Sequence, residues 1–160
     1  MGQNEIVVRS WSEVCERLYD HAWKPELGRF RSDYAFRGLA DCRYPLQNSF
    51  FRVCQNNPQL EYHMLRNFKK YGRFDDANMV SSDWRVMTLA QHHGLPTRLM
   101  DWTYSPFVAL HFVTDDPTKY DQDGVIWQVD YVQVNRMLPE PLKGVMKKEG
   151  ANAFTVEMIE

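Results

Sequence analysis

The residues most able to do chemistry fall in two places. Arg37 follows the apolar stretch Tyr34-Ala35-Phe36, and Gln91, His92, Arg98, Asp101 and Thr103 bracket the tight Gly94-Leu95-Pro96 turn. Polar groups where a core would want apolar ones read as one candidate site. The planar fork of an arginine at a strand end suits phosphate or carboxylate. The plain alternative is an Arg37 to Asp101 ion pair, because buried arginines are mostly paired. His92 can act as a general base near neutral pH, or it can simply cap the last carbonyls of a helix. His93 lies about 100° further round that helix, so the two rings cannot face the same pocket. Asp101 can fix Arg98 or Arg37 or orient a ligand hydroxyl, and Trp102 offers a flat wall for stacking or for core filling.

The elements that position these residues follow from periodicity and punctuation. Ser10 or Ser12 caps a first helix running to about Trp23 through Trp11, Val14, Leu18 and Ala22. Pro25 to Asp33 reads as a loop, and Tyr34-Ala35-Phe36 as a short strand ending at Arg37-Gly38. A second helix spans Pro58 to about Tyr71, with Lys69, Lys70 and Arg73 near its end. Asp83 caps a third helix through Val86, Leu89 and Ala90 that Gly94 and Pro96 close, leaving Gln91-His92-His93 on its last turn. Leu99-Met100 reads as a brief strand, Ser105-Pro106 opens a helix over about Phe107 to Val113, and Gly124 to Val129 reads as a strand. After Met137 come Pro139, Pro141, Gly144 and Gly150, then Phe154 to Ile159, which alternates like a half-exposed strand. The expected class is α+β, a small mixed or antiparallel sheet flanked by helices, in a single domain over residues 1–160.

Composition limits the partners. The chain is 44% hydrophobic and 14% aromatic, enough for a real core, and its net charge of -2 supplies no general field for polyphosphate. A nucleic-acid partner would rest on Lys69, Lys70, Arg73 and the Lys147-Lys148 pair, and ranks behind a nucleotide or a protein. Cys15, Cys42 and Cys54 are odd in number and lack CxxC spacing, and no apolar leader precedes them, so the reading is a cytoplasmic protein with free thiols. No stretch reaches the roughly 20 apolar residues of a membrane span. The scattered histidines lack metal-ligand spacing, so no metal is expected. The motifs GxGxxG, GxxxxGK and GxSxG do not occur.

Tyr34-Ala35-Phe36-Arg37-Gly38, followed downstream by Leu89 to Thr103 with its core Gln91-His92-His93-Gly94-Leu95-Pro96-Thr97-Arg98-Leu99-Met100-Asp101-Trp102, resembles the two hallmark motifs of the FRG domain. The likeness continues through Ser105-Pro106, Ala109 to Phe112 and the strand at Gly124, covering about residues 30–130. That family is associated with bacteria, phage and defence loci, which implies a role in conflict between cell and virus. A second resemblance is to the ADP-ribosyltransferase fold. Its aromatic-Arg-Gly strand is similar to Phe36-Arg37-Gly38, its Ser-Thr-Ser strand to a degraded Asp101-Trp102-Thr103 with Ser105, and its following helix to Ala109-Leu110-His111-Phe112.

This second likeness implies NAD or a related nucleotide as substrate, in a pocket of Arg37, His92 and Asp101, and an ADP-ribosyltransferase or NAD glycohydrolase activity. Arg37 would bind the diphosphate or ribose, Thr103 and Ser105 would brace the nicotinamide ribose, and Trp102 or Phe36 would stack on a ring. Gly38, Gln91 and Arg98 would complete the binding residues. A carboxylate is needed beside the glycosidic bond, and Asp101, Glu157 and Glu160 are the candidates, the last two on the expected late strand. The resemblance further implies a segment beyond Glu160. The other class of reading is a recognition module for a phage protein, nucleotide signal or nucleic acid, without turnover.

Overall fold

In the computed structural model, residues 5–20, 22–55, 57–72 and 82–159 are described, the side chains of Pro58 and Val156 excepted. Arg73 and Glu160 lie outside them. The elements, in chain order, are α1 (Trp11–Leu18), β1 (Trp23–Lys24), β2 (Arg29–Phe30), β3 (Tyr34–Leu39), α2 (Ser49–Cys54), α3 (Pro58–Tyr71), α4 (Asp83–His92), α5 (Pro106–Thr114), β4 (Val125–Asp130), α6 (Tyr131–Arg136), α7 (Glu140–Glu149) and α8 (Val156–Ile159). This is the expected α+β class, with two small antiparallel sheets among the described residues. The chain divides into two compact units, residues 1–43 with 102–137 and residues 44–101 with 138–160.

The first unit is built on the β3–β4 ribbon. Its register runs from Tyr34 opposite Asp130 to Leu39 opposite Val125, with Phe36 opposite Gln128, Arg37 opposite Trp127 and Gly38 opposite Ile126. Successive strand residues alternate faces. Phe36 and Gly38 therefore share one face, and there Phe36 is fully buried with Leu18 and Ala109, against Val14, Tyr19, Tyr34 and Ile126. Helix α5 lies so close to β3 that a Cβ on Gly38 would sit 1.8 Å from the Ala109 carbonyl oxygen. Only a residue without a side chain permits that approach. After β3 the buried Asp41 carboxylate accepts from the Arg43 backbone N–H at 2.9 Å and from its guanidinium at 2.9 and 2.7 Å. Those bonds hold its pKa down at about 2.

In the second unit Asn57 caps α3, accepting from Gln59 and Leu60 N–H, and Ser82 caps α4, accepting from Arg85 N–H. Phe50, Val86, Met87, Ala90 and Met146 are its buried apolar side chains.

Several expectations need correction. The first helix ends at Leu18, five residues early, and Pro25 to Asp33 holds a small hairpin in which Trp23 pairs Phe30 across a 3-10 turn closed by left-handed Gly28. Ser82, not Asp83, caps α4. Leu99-Met100 forms no strand, and the contact made near there is a single bridge between Thr103 and Phe36. Residues 156–159 form helix α8, not a strand. A six-residue alternation is too short to separate the two periods, and here Met158 N–H bonds back to Thr155 while Glu157 pairs with Arg85 of α4. Helices α2, α6 and α7 were not anticipated, α7 because Pro141 and Gly144 look like breakers although Pro141 occupies its first turn.

The close approach at Gly38 yields a graded expectation. Gly38→Ala must displace backbone and should cost about 3 kcal/mol, lowering the melting temperature by roughly 6–12 °C. Gly124→Ala meets a movable Val113 methyl 2.3 Å away and should cost less, and calorimetric melts of the two variants check the order.

Candidate functional site

Arg37 does not sit on a turn after the strand, because β3 continues through it to Leu39. Its ribbon partner is Trp127, and directly opposed side chains share a face with Cβ atoms about 4.5–5.5 Å apart. This face, turned away from the α5 side, also carries Ala35, Leu39, Val125 and Val129, all half-buried. The indole Nε1 of Trp127 is buried and has no acceptor among the described residues. A buried donor left unsatisfied costs on the order of 1–3 kcal/mol, so an acceptor brought by a ligand would bind there favourably. Sequence reasoning passed over Trp127 as an ordinary strand residue. Only the register sets it beside Arg37.

Other expected ligands of the first unit face elsewhere. Phe36 and Thr103 exchange backbone hydrogen bonds at 2.7 and 2.9 Å, which sets Thr103 on the Phe36 face and not on the Arg37 face. The Thr103 hydroxyl accepts the Ser105 N–H at 3.0 Å, fixing the entry to α5, where Pro106 fills the first turn. Phe36, fully buried, offers no ring face to a ligand, and Gly38 is taken up by Ala109. Trp102 is half-buried.

In the second unit the Gln91 to Asp101 stretch forms a hydrogen-bonded turn with Gly94 left-handed at φ 83°. The buried Thr97 organises it. Its hydroxyl accepts the Leu99 N–H at 3.2 Å and donates to Gln91 Oε1. Its N–H donates to Ser49 Oγ at 3.1 Å, and its carbonyl accepts from Ser49 Oγ and from Phe50 N–H. With Gln91 Oε1 used as an acceptor, the amide must present its NH₂ outward, and Nε2 donates to Asp101 Oδ1 at 2.6 Å. Gln91 is thus a positioning group that aims the Asp101 carboxylate. Thr97 and Ser49 were missed as site residues, although a threonine just after a Gly-Leu-Pro turn is a signal for such bonding.

Arg98 forms a two-pronged ion pair with Glu61 of α3, Nε to Oε1 at 2.7 Å and Nη2 to Oε2. These bonds push its pKa up. The pair ties the turn to α3, so Arg98 braces the motif. His92 is exposed, its ring edge-on to His93 at 5.6 Å, and His93 tilts against Phe68. Glu157 is exposed on α8 in its ion pair with Arg85, with its pKa lowered first by a backbone N–H bond. Among the described residues no three His, Cys, Asp or Glu side chains converge as metal ligands, and no helix is long and apolar enough to cross a membrane.

The molecule is thus an α+β protein with an arginine held mid-strand beside a half-buried tryptophan whose indole nitrogen is buried, and a glutamine-threonine turn that aims an aspartate. The family model of the FRG domain matches residues 32–122, more than half of the chain, and the protein belongs to the FRG domain family. No curated protein and no solved structure matches the chain.

Thr97→Val keeps the shape but leaves Gln91 Oε1 and the Leu99 N–H unpaired, so it should destabilise by about 2–3 kcal/mol, whereas Thr97→Ser should recover most of that. Urea unfolding of both variants checks it.

Proposed function

We propose that this FRG domain binds NAD or a related nucleotide through the Arg37 and Trp127 face of the β3–β4 ribbon, and that it acts as an ADP-ribosyltransferase-like or NAD-consuming effector in conflict between bacteria and phage. The observation that carries the reading is the buried Trp127 Nε1–H, which has no acceptor among the described residues and lies on the same ribbon face as Arg37. A guanidinium and an indole donor side by side complement an anionic oxygen acceptor. The diphosphate of a dinucleotide supplies one, and the apolar side chains around them exclude water and strengthen both bonds.

The likeness of Phe36-Arg37-Gly38 to the arginine strand of ADP-ribosyltransferases favours a dinucleotide over a simple phosphate. In the first unit the ribbon itself provides the binding groups, while Thr103 and Ser105 set the start of α5.

Isothermal titration of NAD into the protein should give saturable binding that weakens about 10- to 100-fold in Arg37→Ala. Nicotinamide release from bound NAD then measures turnover. Saturable binding without release favours the recognition module, and no binding to the wild-type protein removes the nucleotide reading.

A further inference from the structure

One ring on the Arg37 side of the first unit is braced and still exposed. The bridge between Thr103 and Phe36 turns Thr103 to the Phe36 side, so pleat alternation turns its neighbour Tyr104 to the side of Arg37, next to Ala35. On the other flank of β3 the ladder with β4 runs one step past the strands, because Tyr131 N–H donates to the Asp33 carbonyl at 3.2 Å. Tyr131 therefore shares that side with Trp127 and Val129. Tyr104 and Tyr131 flank β3 from opposite sides, roughly 10 Å apart by strand spacing. Yet their ring centroids lie 5.3 Å apart, edge-on. The two rings lean toward each other over β3, where Ala35 is the smallest side chain of the Arg37 face.

We propose that Tyr104 is the stacking platform for a nucleobase, the base of the nucleotide whose phosphates meet Arg37 and Trp127. The inference rests on the nucleotide reading and adds where the base goes. Tyr104 is 58% exposed, so its ring is open to a ligand, whereas Phe36 of the neighbouring strand is fully buried. The supporting ring is fixed, since the half-buried Tyr131 donates its hydroxyl to the Ser32 carbonyl at 3.4 Å. A ring braced at its edge loses little freedom when a base stacks on it.

Spacing sets the direction of the ligand. Ala35 and Arg37 stand two residues apart, about 7 Å along the strand, a gap that a ribose fills between a base and its phosphates. In the other direction from Arg37 the face carries Leu39 opposite Val125, which offer aliphatic branches and no ring. The base end of the nucleotide therefore lies over Ala35 and against Tyr104. Stacking holds a base through its π face, so this platform takes an aromatic base without selecting its edge groups.

Isothermal titration of NAD, and of inorganic pyrophosphate, which lacks a base, into the wild-type protein, Tyr104→Ala and Tyr104→Phe tests this. Tyr104→Ala should bind NAD about 10-fold or more weakly, Tyr104→Phe should keep nearly all of the affinity, and pyrophosphate should bind all three alike. Unchanged NAD binding in folded Tyr104→Ala, or a loss of NAD and pyrophosphate by the same factor, overturns the inference and leaves the Arg37 and Trp127 reading standing. No NAD binding to the wild-type protein removes both. A readout that needs no variant is the nuclear Overhauser contact between the base protons of bound NAD and the Tyr104 ring in the wild-type complex. Its presence supports the platform, and its absence overturns it.

Discussion

The contact on which the first unit depends is the approach of β3 to α5 at Gly38, where strand backbone rests against the Ala109 carbonyl with no side chain between. It fixes which ribbon face belongs to the core. With Phe36 and Gly38 committed to α5, pleat alternation leaves Arg37 the opposite face, together with its register partner Trp127. A one-residue slip would exchange the two faces, burying the guanidinium under α5 and expelling the phenylalanine. The aromatic-Arg-Gly sequence is therefore a packing device. The aromatic ring anchors the strand, the glycine admits the helix, and the arginine between them is aimed by both neighbours.

The second unit applies the same economy to a turn. Thr97 uses its N–H, carbonyl and hydroxyl at once, and the direction of its hydroxyl bond dictates the orientation of the Gln91 amide and so the bond to Asp101. Satisfied polar networks in semi-buried turns are rigid, because each lost bond strands a partner. Arg98 and Glu61 add an anchor to α3. Much of the long motif is scaffolding around one carboxylate.

These arrangements were unevenly legible in the sequence. The strong helix α3, the stop of α4 at Gly94 and the start of α5 at Ser105-Pro106 follow from caps, glycine and proline, and the structure has them where expected. The two motif segments stand out for their polar residues. What local reading could not supply is partnership. That Trp127 faces with Arg37 is a property of register between segments ninety residues apart, and that Phe36 and Thr103 face the core depends on a single bridge. The late helix α8 defeated the six-residue alternation of Phe154 to Ile159, and Arg98 looked like a ligand group because Glu61, its partner, lies 37 positions away.

The central claim is that the Arg37 and Trp127 face receives the anionic part of a nucleotide. Its most direct test is nuclear magnetic resonance of the indole N–H groups of the five tryptophans, with Trp127 assigned by its loss in Trp127→Phe. On titration with NAD, the Trp127 indole proton should move downfield as it gains an acceptor, and it should stay in place in Arg37→Ala. An unmoved Trp127 resonance at saturating NAD in the wild-type protein would contradict the account.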